Sequence, residues 1–211
     1  MIEKIIVDRL ISNKAHPVPF VLAICGAADL GKSFLAKQIS KQLIIHGFQA
    51  TCFGLDAYLL PREKRLALQL SGYQYESHYL NQAFKDLSKL KEQQSISYYP
   101  YDHQQGSASD EAELIQAKDF ILFEGLFTLH QLFQPLIDYA VFVFTADDTL
   151  KIIRKEADLV KRNYSKAFSQ QIAGTEFALY KKNIEPLGRL ADCHLFLAKK
   201  WQYELVELNK N

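Results

Sequence analysis

The chain has 211 residues, 48% of them hydrophobic, with 25 basic against 24 acidic side chains and a net charge of +1. That length suits one α/β domain with room for a small inserted lobe. The balance of charge excludes a broad basic field, so neither nucleic acid nor an anionic membrane surface is expected as a partner, and an anionic ligand must be held by a local site.

Residues 2–14 read as an amphipathic helix, stopped by the prolines of "HPVP". It lacks the unbroken apolar centre of a signal peptide, and no later run reaches transmembrane length, so a cytoplasmic protein is expected. "FVLAIC" (20–25) is a continuous apolar run, the mark of a strand buried on both faces. A helix follows from 32 to 46, carrying Phe34, Leu35, Ile39 and Leu43 and ending at Gly47. "QATCFGL" (49–55) predicts the second strand, with Asp56 just beyond it. The stretch 58–109 is rich in Tyr, Gln and Ser, with one helix near 80–92, and reads as a substrate-side lobe. "FILFEG" (120–125) and "YAVFVF" (139–144) are two more buried strands. A charged helix spans 147–162, another 169–184, and "CHLFLA" (193–198) is a late strand. Cys25, Cys52 and Cys193 all sit within or beside such apolar runs, which fits core packing better than metal binding or a disulfide framework. Strands alternating with helices predict a mostly parallel sheet covered on both faces.

The segment "GAADLGKS" follows the first strand and opens the first long helix, the context that a phosphate-binding loop requires. Glycines let the backbone bend so that successive N–H groups point inward at phosphate oxygens, and the helix adds its positive end. The nucleotide-binding set is therefore Gly26, Ala27, Ala28, Asp29, Leu30, Gly31, Lys32, Ser33 and Phe34. Lys32 is placed to reach the β- and γ-phosphates and Ser33 to bind Mg²⁺, making ATP and Mg²⁺ the expected cofactors. The fold is accordingly read as a P-loop NTPase-type three-layer α/β sandwich, a single domain over 1–211.

Two acids fall at strand ends. Asp56 should emerge at the carboxyl edge of the sheet, where open α/β folds hold ligands, and could take the proton of an attacking hydroxyl or bind Mg²⁺. An Asp there also suits a helix cap. Glu124 closes Phe-Ile-Leu-Phe-Glu, the position beside the metal and phosphates. Arg154, Asp158 and Arg162 recur every four residues on one helix face. Such a stripe fits a solvated face, or a lid over 147–167 whose arginines neutralise the transferring phosphoryl group. Its basic residues would repel one another unless they meet Asp158, Glu156 or a polyphosphate, so the segment from about Lys155 to Ala167 is expected to be loosely held without ligand.

The succession of the P-loop, "LDAYLLP", "PYDHQQG", "ILFEG", the basic helix and "NIEPLGRLADCHLFLA" resembles the uridine kinase / phosphoribulokinase family over about 20–198. That resemblance implies transfer of the ATP γ-phosphate to a small-molecule hydroxyl. It assigns Asp56 to the acid facing that hydroxyl, Tyr101 and Asp102 to the Tyr-Asp pair of the substrate lobe, and Arg154 and Arg162 to the lid. By spacing, Gln171 falls on a substrate-side glutamine. Tyr58, Glu76 and His103 complete the substrate set. The chain departs from the pattern where uridine kinases show Asp-His-Pro, since "GYQYESHYLN" offers Glu76 as the only nearby acid. His103 and Gly106 replace a phenylalanine and a base-contacting histidine, and Ala157 and Asn163 replace an arginine and a glycine of the lid. The implied acceptor is uridine or another nucleoside. Pantothenate, glycerate or a sugar phosphate is the alternative within the enzyme class, and an ATP-binding regulatory protein without transfer the alternative outside it. Homo-oligomerisation is compatible with all three.

Overall fold

In the computed structural model, residues 2–12 and 18–206 are described. Helix α1 (Ile2–Ser12) buries Ile6, Val7 and Leu10 along one face. The last two residues of the predicted helix, 13 and 14, lie outside the described residues. Strand β1 (Phe20–Gly26) is buried throughout, as its unbroken apolar run requires. It runs through the phosphate-loop sequence into α2 (Lys32–Ile45), which turns Leu35, Ala36, Ile39 and Leu43 inward. Strand β2 (Ala50–Gly54) ends in a single 3₁₀ turn, Leu55–Tyr58.

The lobe then begins with α3 (Arg62–Ala67), which buries none of its residues and so lacks the apolar period that would have announced it. Helix α4 (Leu80–Lys91) follows, and then four short strands: β3 (Ser95–Tyr98), β4 (Tyr101–Asp102), β5 (Ser107–Ala108) and β6 (Glu113–Gln116). β3 pairs with β6 and β4 with β5, both antiparallel, forming a hairpin that sequence alone read as irregular. Strands β7 (Phe120–Glu124) and β8 (Tyr139–Phe144) lie where predicted. Helix α5 (Asp147–Val160) stops before the expected 162. Helix α6 (Lys166–Asn183) starts earlier than expected because the Ser165 hydroxyl caps it, accepting from the Phe168 amide at 3.2 Å. Strand β9 (Cys193–Lys199) turns back into β10 (Gln202–Val206), a hairpin whose turn carries no glycine or asparagine to signal it.

The main sheet has the order β10-β9-β8-β1-β7-β2. Five strands are parallel, and β10 alone runs antiparallel, against β9. The chain crosses from β1 out to β2, returns to β7, and then places β8 on the far side of β1. The direction of winding thus reverses beside β1, and the carboxyl ends of these strands open a crevice there. β2 is the outer strand, which corrects the expectation for Cys52: its side chain is exposed, while Cys25 and Cys193 are buried. Among the described residues, no helix is long and apolar enough to cross a membrane.

At the amino edge the strands are fastened by acids. Asp119, Asp138 and Asp192 immediately precede β7, β8 and β9, and their Oδ2 atoms accept from the amides of Gln49, Val21 and Ala140 at 2.7, 2.8 and 2.9 Å. Each satisfies a strand-end donor that would otherwise need water. Asp138 also takes the Lys91 ammonium at 3.0 Å, binding α4 to the same edge.

Phe123 sits at the centre of the core, with ring centroids 5.4 Å from Phe53 and 5.0 Å from Phe133. Phe123→Ala removes a fully buried ring from this rigid setting. It should lower the unfolding free energy by about 3–5 kcal/mol, measured by urea denaturation.

Candidate active site

The phosphate loop is forced into shape by close packing. Gly26 has φ +143°, and a β-carbon there would stand 2.1 Å from the Val143 carbonyl oxygen, so only glycine can leave β1 at this point. Asp29 and Gly31 follow in the left-handed region, at φ 66° and 77°. No side chain caps the first turn of α2, leaving its N–H groups open to an anion. Lys32 is buried and donates to the Ala27 carbonyl at 2.8 Å, arching back over the loop. Tyr73 of the lobe accepts from the Ala28 amide at 3.2 Å. Tyr203 of β10 props the other side, donating to the carbonyls of Leu30 and Gly31 at 2.9 and 3.1 Å.

Two carboxylates meet this loop at the carboxyl edge. Glu124, ending β7, accepts the Ser33 hydroxyl at 2.8 Å. Burial raises the proton affinity of Glu124 above the usual carboxylate range, and the negative charge of Asp56 adds to it, while Lys32 and the Ser33 bond oppose it. Asp56 stands in the turn after β2, with His103 Nε2 3.6 Å from its Oδ2. Burial is the first cause that lowers the His103 pKa to about 4, so near neutral pH the ring is uncharged and the contact is not an ion pair. Ser33, Glu124 and Asp56 offer hard oxygen donors of the kind Mg²⁺ takes, and that ion needs few protein ligands. Among the described residues there is no cluster of three His, Cys, Asp or Glu that would hold a metal by itself.

These groups line one cavity of about 1020 Å³, which runs from Asp56 and Tyr101 past Lys32, Ser33 and Glu124 to Trp201, with Arg154, Arg162 and Gln171 on the wall made by α5 and α6. The two arginines are fully engaged by acids. Arg154 reaches Asp158 Oδ1 at 2.9 Å and Glu176 Oε2 at 3.1 Å, and lies 5.5 Å from the centroid of the Tyr73 ring. Arg162 reaches Asp29 Oδ2 at 2.9 Å and Asp158 Oδ1 at 3.3 Å, and Lys161 lies 3.5 Å from Asp29. Of the acids expected to answer this charge, Asp158 does so. Glu156 stays exposed, and Glu176 and Asp29, distant in sequence, take its place.

Three residues assigned to the substrate stand elsewhere. The Tyr58 hydroxyl donates to Asp86 Oδ2 at 2.9 Å inside the lobe, because α4 packs over the turn after β2. Glu76 is exposed. Asp102 Oδ1 accepts from the amides of Gln104 and Gln105 at 2.7 and 3.1 Å, which makes it the turn-former of the β4–β5 hairpin. None of the three lines the cavity. Sequence reasoning gave no role to Arg62, Arg65 and Trp201, which do line it. Arg65 donates to the Tyr101 hydroxyl at 3.1 Å, and Arg62 to the carbonyls of His103 and Arg162, joining the lobe to the end of α5. A pair of arginines three apart, six residues after Asp56, was the available signal.

The sequence profile of the Phosphoribulokinase / Uridine kinase family matches residues 21–196. The chain is 28% identical over 182 residues to a uridine kinase of Ligilactobacillus salivarius, covering 82% of this chain and 83% of that one. Its fold is similar to that of phosphoribulokinase from Rhodobacter spheroides, with a TM-score of 0.68 at 15% identity, covering 89% of this chain and 74% of the other. A D-glycerate 3-kinase from Cryptococcus neoformans is similar at a TM-score of 0.68 and 14% identity, covering 98% and 99%.

The ion pair between loop and helix makes a prediction about acid stability. Burial alone would raise the Asp29 pKa, but Arg162, Lys161 and Arg154 outweigh it and hold the carboxyl below its usual range. The stability this lends is complete above the unfolded value, roughly pH 4, and is lost as pH falls through the lower folded value. Asp29→Asn should therefore flatten the acid limb of stability, and Arg162→Met should cost about 3 kcal/mol at pH 7 by stranding a buried charge. Urea unfolding across the acid range measures both; an Asn variant whose acid limb parallels the parent's would show that the pair contributes nothing.

Proposed function

The chain belongs to the Phosphoribulokinase / Uridine kinase family, and from that premise we propose that it moves the γ-phosphate of ATP to a hydroxyl of a small molecule, uridine or a related nucleoside. The observation that carries this reading is the Ser33–Glu124 hydrogen bond, which ties the mouth of the phosphate loop to a buried acid in a cavity that Asp56 also lines. A phosphate cradle alone would serve a binding protein. A second carboxylate across the same cavity is what phosphoryl transfer to an alcohol needs. The uridine assignment rests on the similarity to proteins named uridine kinase.

In this reading the open amides of α2 and the Lys32 ammonium hold the β- and γ-phosphates. Ser33 and Glu124, with Asp56 beyond them, would hold Mg²⁺, which supplies neutralisation of phosphate charge when bound. Asp56 accepts the proton of the acceptor hydroxyl as its oxygen turns toward the phosphorus, and the neutral His103 ring beside it leaves that carboxylate free to do so. Arg154 and Arg162 border the same space, and a phosphoryl group must draw them from Asp158, Glu176 and Asp29. Residues 58–109 then form the acceptor lobe and 147–167 the lid.

A transfer screen with γ-labelled ATP over nucleosides, pantothenate, glycerate and pentose phosphates tests the assignment, with a nucleoside expected as the labelled product. In that assay Lys32→Ala should abolish most transfer while circular dichroism stays unchanged, and activity within threefold of the parent would remove Lys32 from the mechanism. Asp56→Asn should bind ATP nearly normally yet turn over about 10²–10⁴ more slowly. Brisk turnover by that variant, alongside a dead Glu124→Gln, would exchange the roles of the two acids.

A further inference from the structure

We propose that Trp201, the only tryptophan of the chain, is the platform on which the base of the nucleotide donor lies, and that donor choice is made there by stacking. This rests on the reading of the cavity as the nucleotide site.

The sheet order gives the direction. Asp56 follows β2 at one end of the sheet, so the transferring phosphoryl group faces that way. The phosphate chain lies along the loop after β1, and the nucleoside must leave it on the opposite side, past Ser33 and toward β9 and β10. On that side Trp201, in the turn between those two strands, lines the cavity.

Trp201 is held in an unusual way. Its φ is 63°, a left-handed conformation that a bulky residue seldom adopts, in a turn with no glycine. The turn is pinned from both sides of the ring's own position. Tyr203 is fastened to the carbonyls of Leu30 and Gly31, and the indole lies so close over the phosphate loop that a β-carbon on Gly31 would stand 2.1 Å from it. Phe34, the residue after Ser33, stacks on the indole at 5.2 Å between centroids and 25° between planes. Two aromatic rings thus form a continuous apolar surface at the first turn of α2, where the α-phosphate end of a bound nucleotide emerges. Trp201 is still 38% exposed despite this packing. Thr149 and Ile153 of α5 and Leu197 and Ala198 of β9 line the same cavity. The Lys200 ammonium lies 5.8 Å from the ring centroid, on a flexible stem that can give way.

Aromatic stacking reads the face of a base and not the hydrogen-bonding pattern of its edge. ATP and GTP should therefore bind with similar affinity, and pyrimidine nucleotides, with less ring to stack, more weakly.

A single tryptophan lets intrinsic fluorescence report this site in the full-length protein. ADP should quench the indole, whereas inorganic tripolyphosphate should compete with ADP in calorimetry yet leave the emission unchanged. Trp201→Ala should weaken ADP roughly tenfold and raise the KM for ATP with little change in kcat, and Trp201→Phe should stay within threefold of the parent. Neither substitution should alter tripolyphosphate affinity. Equal quenching by tripolyphosphate, an unchanged ADP affinity in Trp201→Ala, or equal losses for ADP and tripolyphosphate would each overturn the proposal, the last by making Trp201 a prop for the loop. Should Trp201→Ala fail to fold, the quenching comparison and Trp201→Phe decide alone. A failure of the transfer reading looks different: ADP bound and indole quenched, with no acceptor phosphorylated.

Discussion

The arrangement at the carboxyl edge of the sheet depends on one close approach, the exit of β1 at Gly26 against the Val143 carbonyl of β8. Nothing larger than hydrogen fits between them. Because β1 must turn there, the chain enters its loop at a fixed angle, α2 starts with its amides facing the crevice, and Lys32 folds back over Ala27. The placement of Ser33 against Glu124 follows from the same turn, since β7 is the neighbour of β1 on the other side. A backbone contact of no chemical interest therefore fixes the placement of Lys32 and Ser33.

Charge around the loop is distributed unusually evenly. Asp29 places a carboxylate inside a segment built for anions, and it is tolerated because Arg162 and Lys161 lie against it. Asp158 does the same for both arginines from a buried position, helped by the Ser169 hydroxyl at 3.1 Å. Arg154, Lys161 and Arg162 are thus already paired with acids in the structure. A phosphate reaching them gains only the difference between its own attraction and that of the acids it displaces, which is far less than the attraction of a bare guanidinium. The segment after α5 is joined to the phosphate loop through Asp29, and Arg154 joins α5 to α6 through Glu176.

Much of this was legible in the chain. Strands β1, β7 and β8 announce themselves as apolar runs, because a strand covered on both faces has no polar side to interrupt the pattern. The phosphate loop was legible because its chemistry is local: strand, glycines, lysine and helix lie within a dozen consecutive residues. Asp56 and Glu124 could be found because each ends such a run. Groups brought together by tertiary packing alone could not. Glu176 and Asp29 lie far from the arginines they bind, and Trp201 reaches Gly31 only because an unheralded hairpin folds back. Tyr58 and Asp102 show the converse: their types and neighbours suit a binding site, and short-range bonds to Asp86 and the Gln104–Gln105 amides hold them away from the cavity. Cys52 is exposed because position in the sheet, and not the local run, decides what an outer strand covers.

The three aspartates at the amino edge have a consequence for the opposite edge. A parallel strand can in principle slide by two residues and keep its faces correct, so alternation alone does not prevent misregistration. Asp119 does, because its carboxylate finds the Gln49 amide only when β7 is set correctly against β2. The same strand, five residues long, ends in Glu124. One end of β7 is therefore a gauge and the other a tool: with the length between them constant, fastening the first sets how far the second protrudes into the crevice. A two-residue insertion in that strand would keep each side chain on its face and still misalign the acid.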